Sequence, residues 1–148
     1  MTEAQPPPSP WRRPTVLAVA IAAAAIGLVA FEAKRTAPVR DAVRAYTALI
    51  TAANRGDLDA VRSVCSERYL AGHPVRAADK GGVIGLPRGI HKNFRAWPEG
   101  EHIWICPTNR IGPVFQFVRT PDGWKFDGPV GQLRPGNVFE PADEASGF

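Results

Sequence analysis

The sequence has few of the residues on which disulfide scaffolds and metal centres depend. Its 148 residues include two cysteines and three histidines. Two cysteines exclude a disulfide-dense scaffold and a zinc site with four cysteine ligands. The histidines, His73, His91 and His102, are spaced too widely for any two to act as metal ligands from one helix or strand. We therefore expect neither a metal ion nor another cofactor.

The chain also lacks the usual motifs of nucleotide and nucleic-acid binding. No glycine-rich loop is followed by Lys-Ser or Lys-Thr, the phosphate-binding signature. The net charge is only +4, and no block of basic residues is interleaved with aromatic ones, so we expect no nucleic-acid partner. An apolar fraction of 45% excludes a wholly disordered chain.

One long apolar run is present near the N-terminus. Residues 16–31 read VLAVAIAAAAIGLVAF, 16 residues without a polar side chain, and charges resume at Glu32. With Pro14 and Thr15, the uncharged stretch reaches the short end of the length that spans a bilayer. The small residues that a signal peptidase needs are not well placed, so an uncleaved signal anchor is favoured over a cleaved signal peptide.

Composition divides the chain into five segments. They are a proline-rich polar tail (1–14), a transmembrane signal-anchor helix (15–33), a linker (34–40), a folded domain (41–140) and a flexible tail (141–148). The chain is thus expected to be a single-pass membrane protein. Arg12 and Arg13 before the apolar run favour a folded domain outside the cytoplasm, whereas counting the positive charges on both sides favours the opposite orientation.

Two helices are predicted at the start of the folded domain. Apolar residues recur at helical spacing over 43–53, and Asp41 after Pro38 is a plausible N-cap. Gly56 suits a left-handed C-cap. Asp57 is expected to cap a second helix with one apolar face, formed by Leu58, Val61, Val64 and Cys65.

The second half of the domain shows the two-residue period of strands. After loops over 71–89, short apolar strands are predicted at 103–106, 114–119 and 124–128. Residues 120–123 read Thr-Pro-Asp-Gly, which suits a type I turn closed by a left-handed glycine. This turn predicts a hairpin between the second and third strands.

These elements together resemble the nuclear-transport-factor-2-like superfamily, a cystatin-like cone. The resemblance rests on the helix pair, the Gly56-Asp57 junction and the hairpin sequence DGWKFDG at 122–128, and it covers roughly residues 38–130. It implies an α+β fold in which helices pack on a strongly curved antiparallel sheet. The superfamily includes isomerases, dehydratases, ligand carriers and non-catalytic assembly domains, several of them on a single membrane helix, so the fold alone does not choose a function.

Enzymes of that superfamily use an ionisable residue inside the cone, which makes a few residues candidates for a base. They are Asp127, His91 and His102, with Asp79, Tyr46 and Tyr69 as further ionisable groups. Asp127 follows Phe126 on a predicted strand, and successive side chains of a strand lie on opposite faces. If Phe126 packs inward, Asp127 is exposed or lies at the strand end, where its role is to terminate a turn.

Aromatic residues are the remaining signal of a binding site. Those expected to line the inner face of the sheet, as core or as the wall of an apolar pocket, are Trp104, Phe115, Phe117, Trp124 and Phe126. Cys65 and Cys106 are expected to be buried free thiols. The alternative is a disulfide between helix and sheet, which requires a location outside the cytoplasm.

We therefore expect a membrane-anchored, non-catalytic binding or assembly domain. Its partners would be the membrane, a second copy or another membrane protein, or a small apolar ligand. One alternative is an isomerase-like or dehydratase-like enzyme acting on an apolar carbonyl compound. Another is an adaptor that binds a partner through the proline-rich tail.

Overall fold

The structure is a computed structural model of the chain. It describes residues 12–78, 83–84, 86, 94–108 and 111–142. Within these ranges the description omits the side chains of residues 12–17, 35 and 84. The chain divides into two compact units, Met1–Ala37 and Pro38–Phe148. The proline motif of the predicted N-terminal tail and most of the predicted C-terminal tail lie outside the described residues.

The first unit contains the beginning of helix α1 (Arg12–Arg55), which is rich in alanine, the strongest helix former. The large apolar side chains of the described part of the first unit are 61–70% exposed; they are Val19, Ile21, Ile26, Leu28, Val29 and Phe31. Within the part of the chain that the structure describes, no helix meets the length and hydropathy needed to cross a membrane.

Helix α1 continues without a break into the second unit. It runs through residues 34–40, where we expected a linker, and through Asp41, so the prediction that Asp41 is an N-cap is wrong. Residues 32–37 contain no glycine or proline that would end a helix. Pro38 lies inside the helix, where its missing N–H removes one backbone hydrogen bond, and it is the first residue of the second unit.

The junctions after α1 follow the predicted capping chemistry. Gly56 has φ +71°, which confirms the left-handed C-cap. The Asp57 carboxylate accepts a hydrogen bond of 3.0 Å from the Ala60 N–H and so caps α2 (Leu58–Val64), as predicted. Ser66 then caps α3 (Glu67–Gly72) by accepting a 3.0 Å hydrogen bond from the Tyr69 N–H.

The strands form an antiparallel sheet of five strands and a separate two-stranded ribbon. The ribbon pairs β1 (Arg76–Ala77) with β2 (Val83–Ile84). The five-stranded sheet is a meander of β3 (Arg95–Glu99), β4 (His102–Cys106), β5 (Gly112–Thr120), β6 (Gly123–Arg134) and β7 (Val138–Pro141). A turn at 121–122 joins β5 to β6, which confirms the predicted hairpin. Strands β3 and β7 were not predicted, and neither were β1 and β2, which lie where loops were expected.

The sheet buries apolar side chains on both of its faces. On one face, residues such as Ile103, Ile105 and Phe117 pack with the helices in the larger core cluster. On the other face, Cys106, Val114 and Leu133 form a second cluster beneath partly buried aromatic rings. Both clusters are drawn from residues between 39 and 139, so the second unit has a complete core of its own and is expected to fold without the residues before it.

The sheet is strongly curled because β6 contains two bulges. Gln116 pairs with Gly128 and Phe117 with Phe126, which leaves Asp127 as an extra residue. Val130 is the second extra residue, between the partners of Val114 and Phe115. Each bulge bends its strand and increases the local twist.

The curl is evident from a contact between strands that are not neighbours. The rings of Trp104 on β4 and Phe139 on β7 are 4.6 Å apart. Three strand spacings would separate these strands by about 14 Å in a flat sheet. The chain is therefore an α+β protein in which helices pack on a strongly curled antiparallel sheet.

Gly131 on β6 lies so close to β7 that the position leaves no room for a side chain. A Cβ added there would lie 2.3 Å from the Glu140 carbonyl oxygen and 2.7 Å from the Phe139 ring. We expect Gly131→Ala to lower the free energy of unfolding by about 2 kcal/mol, measured by urea denaturation. The matched control is Gly72→Ala in α3, where a Cβ would meet nothing within 4 Å. Equal stability of the two variants would contradict the close approach.

Candidate functional site

A buried carboxylate joins the helices to the sheet. The Asp127 side chain is only 5% exposed, and three other side chains donate hydrogen bonds to it. The Ser66 hydroxyl donates to Oδ1 at 2.5 Å, and the Gln116 amide donates to Oδ2 at 3.2 Å. The Arg68 guanidinium donates from Nε to Oδ1 at 3.1 Å and from Nη2 to Oδ2. We call these four residues the Asp127 cluster.

The cluster holds Asp127 in its ionised form. Burial raises the pKa of this carboxyl and is the largest single influence on it. The hydrogen bonds from Arg68, Ser66 and Gln116, with the charge of Arg68, together outweigh burial and lower the pKa below its usual value. A carboxylate with a lowered pKa and occupied oxygens is a poor general base at neutral pH, because a base needs free lone pairs and a raised pKa.

The position of Asp127 corrects the expectation from strand alternation. Phe126 does pack inward, yet Asp127 is 7% exposed overall rather than lying on an open face or at the strand end. The reason is the bulge, which makes Asp127 an extra residue and turns its side chain toward Gln116 on the neighbouring strand. Sequence spacing alone does not reveal a bulge.

Backbone pairing brings the helical residues of the cluster to Asp127. The Ser66 N–H donates to the Phe126 carbonyl at 2.8 Å, and Cys65 forms a parallel bridge with Phe126. The junction of α2 and α3 therefore lies against β6, beside the bulge. Sequence analysis missed Ser66, Arg68 and Gln116; a serine directly before Glu67 is an N-cap signal, but no local pattern links it to a residue 61 positions later.

The aromatic residues predicted to line one inner face divide between both faces. Phe115, Phe117 and Phe126 are buried in the larger cluster, with Trp124 partly buried against it. Trp104 belongs to the second cluster on the opposite face. Its indole N–H donates to the Gln116 side-chain oxygen at 3.3 Å, which links that face to the Asp127 cluster.

The histidine candidates are not brought together with Asp127 by any described contact. His102 lies at the start of β4 with its Nδ1 atom buried and without a hydrogen-bond partner in the described structure. His91 and Asp79 lie outside the described residues. Among the residues that are described, no group of three or more His, Cys, Asp or Glu side chains could hold a metal ion.

Cys65 and Cys106 are buried free thiols in separate core clusters. Burial raises the pKa of the Cys65 thiol to about 12, so little thiolate is present at neutral pH. Cys65 is therefore a poor nucleophile.

Tyr46, like His102, has a buried polar atom for which the described residues provide no hydrogen-bond partner. Its side chain, on α1, is 1% exposed and packs edge-on against Phe94 and Phe117. In the described part of the chain its hydroxyl has no hydrogen-bond partner. Burial raises its pKa to about 12, so the hydroxyl keeps its proton and can act only as a neutral donor or acceptor.

A surface groove of about 520 Å³ lies between α1 and α2. Small side chains such as Ala48, Ala52 and Ala60 line it. Thr47 and Thr51 also line it, but their hydroxyls donate to carbonyl oxygens of their own helix at 2.9 and 2.8 Å. The charged residues Arg44, Arg55 and Asp57 complete the lining, so the groove combines an apolar surface with charged groups.

Comparisons with protein families, with curated proteins and with solved structures give no match to this chain.

The Asp127 cluster predicts a specific pH dependence of stability. We expect Asp127→Asn to lower the free energy of unfolding by about 2 kcal/mol at neutral pH, because hydrogen bonds to a buried charge are lost. Since folding lowers the pKa of Asp127, its stabilisation is complete above the unfolded-state pKa and disappears as pH falls through the folded-state pKa. Urea denaturation at several pH values should therefore show the two proteins converging in strong acid.

The control for this measurement is Asp59→Asn. Asp59 also pairs with an arginine, Arg62, at 3.4 Å, but its side chain is 95% exposed. Exposed pairs contribute little, so this variant should match the unaltered protein within about 0.5 kcal/mol. A loss as large as that of Asp127→Asn would show that burial is not the cause.

Proposed function

We propose that this chain is a membrane-tethered protein whose second unit is a non-catalytic binding domain of the nuclear-transport-factor-2-like type. The Tyr46 hydroxyl, which has no hydrogen-bond partner among the described residues, carries the proposal of binding. A buried hydroxyl without a partner costs free energy, and a ligand with a hydrogen-bond acceptor would remove that cost. The aromatic rings around Tyr46 would contact the apolar part of the same ligand.

The state of Asp127 supports binding without catalysis. An enzyme acting on an apolar carbonyl compound needs a base beside its substrate, and Asp127 was the first candidate. Its carboxylate is ionised and accepts hydrogen bonds from three side chains, which leaves it tied to the fold. The proposed domain would therefore hold a carbonyl or hydroxyl compound unchanged.

The second candidate function is an isomerase-like or dehydratase-like enzyme, and Tyr46 is the observation that favours it. A protonated phenol in an apolar surrounding can donate to a carbonyl oxygen and stabilise charge that develops there. His102 does not supply the base, because it alternates with Ile103 on β4 and so shares the face of Trp104, opposite the face on which Tyr46 packs. Conversion of a bound carbonyl compound, lost in Tyr46→Phe, would establish this function.

The membrane tether is supported by the apolar run and by the exposure of its side chains. Six large apolar residues between Val19 and Phe31 are 61–70% exposed, an arrangement that is unfavourable in water. Charged residues flank the run on both sides. A bilayer would bury these side chains, and we propose that it does so, with the second unit outside the cytoplasm.

Replacing Tyr46 tests the binding role. We expect Tyr46→Phe to be at least as stable as the unaltered domain, because it removes an unsatisfied hydroxyl, and to retain less of any small molecule that co-purifies. Native mass spectrometry of residues 36–148 measures retention, and thermal unfolding measures stability. Tyr69→Phe, at another buried tyrosine of the same core cluster, is the control and should retain the ligand. A domain that is empty and is destabilised by Tyr46→Phe would contradict the proposal.

Alkaline extraction of cell membranes tests the tether. The full chain should stay in the membrane pellet, because an apolar helix in the bilayer resists carbonate, whereas a chain lacking residues 15–33 should be released. Deletion of residues 2–10 is the control, since it removes the proline motif and leaves the apolar run intact. Release of the full chain would exclude the tether. Unchanged associated proteins in the control would exclude the adaptor role of the tail.

A further inference from the structure

The five-stranded sheet has two ends of different chemistry. The strand directions place Arg95 at the start of β3, Ile111 just before β5, Arg134 at the end of β6 and Val138 at the start of β7. All four residues therefore lie at one end, which we call the basic end. The opposite end, the acidic end, holds the turns at 100–101 and 121–122.

The basic end carries the unburied apolar side chains of the second unit. Among the described residues of this unit, the exposed large hydrophobic side chains are Ile111, at 53%, and Val138, at 60%. The two residues lie on either side of the end of β6. Val138 on β7 pairs with Arg134. On the other side, Ile111 precedes Gly112, which pairs with Leu133. These two exposed aliphatic residues form a small apolar patch that the described residues leave open to solvent.

Charge distinguishes the two ends. At the basic end, the Arg95 side chain donates to the Asn137 side-chain oxygen at 3.3 Å and lies over the Trp97 ring, while Arg134 pairs with Glu140. This gives two guanidinium groups and one carboxylate. Among the described residues of the sheet, the acidic end has two cationic side chains, those of Arg119 and Lys125, and three carboxylates, those of Glu99, Glu101 and Asp122.

We propose that the basic end docks on the surface of a bilayer that contains anionic lipid. Ile111 and Val138 would enter the headgroup region, where burial of aliphatic surface is favourable. Arg95 and Arg134 would lie at the level of the lipid phosphates, with their stems along the apolar boundary. The acidic end would face away from the membrane, because an anionic surface repels it.

This docking goes beyond the proposed tether and uses none of its residues. The second unit has its own core, so residues 36–148 can be tested without the apolar run. Extraction of the full chain by carbonate would exclude the tether and leave the docking unaffected. The failure of one proposal is thus distinguishable from the failure of the other.

The test measures co-sedimentation of residues 36–148 with vesicles, titrated to millimolar lipid. We expect binding to mixed phosphatidylcholine and phosphatidylglycerol vesicles, little binding to phosphatidylcholine alone, and weakening by salt. The double variant Ile111→Thr with Val138→Thr should lower the partition coefficient at least about fivefold. Arg95→Gln should lower it about fivefold.

The matched control is Arg119→Gln, which removes one positive charge from the acidic end. It should leave the partition coefficient within about twofold of the unaltered domain, since Arg119 faces away from the lipid. Circular dichroism confirms that each variant is folded. Absence of binding to the mixed vesicles, binding unaffected by the Ile111 and Val138 substitutions, or an equal loss in Arg119→Gln would each overturn the proposal.

Discussion

Burial of the Asp127 carboxylate is the constraint on which the rest of the second unit depends. A carboxylate removed from water is tolerated only where donors replace the lost hydration. Ser66 and Arg68 from the α3 region and Gln116 from β5 supply those donors, so neither element can shift without leaving a buried charge unsatisfied. One side chain therefore fixes the junction of α2 and α3, the register of β5 and the bulge of β6.

The bulge also determines which surfaces remain accessible. Because β6 bends at Asp127 and again at Val130, the sheet covers its second cluster with its own aromatic rings, while helices cover the other face. A sheet buried on both faces presents mainly its strand ends to a partner. The contrast in charge between those ends is therefore a more informative surface feature than either face of the sheet.

The elements predicted from sequence are those governed by local backbone chemistry. Gly56, Asp57 and the turn at 120–123 were predicted because positive φ, side-chain capping and turn preferences are determined by neighbouring residues. The bulge at Asp127 was missed because a bulge is defined by the register of the partner strand. Strand β3 (Arg95–Glu99) was missed because it is short and contains Pro98. In a sequence, a proline usually indicates a turn rather than a strand.

The difference between local signals and contacts distant in sequence also explains why the structure changes the roles expected of the candidate residues. Residue type made Asp127 a candidate base, but the donors that lower its pKa come from positions distant in sequence. Tyr46 was a weaker candidate, since a tyrosine at helical spacing is usually core, and only the packed structure shows that its hydroxyl is left without a partner among the described residues. Asp127 holds the fold together because its hydrogen bonds are all made within it. The Tyr46 hydroxyl makes no hydrogen bond to a described residue, and the proposal of a bound ligand rests on that hydroxyl.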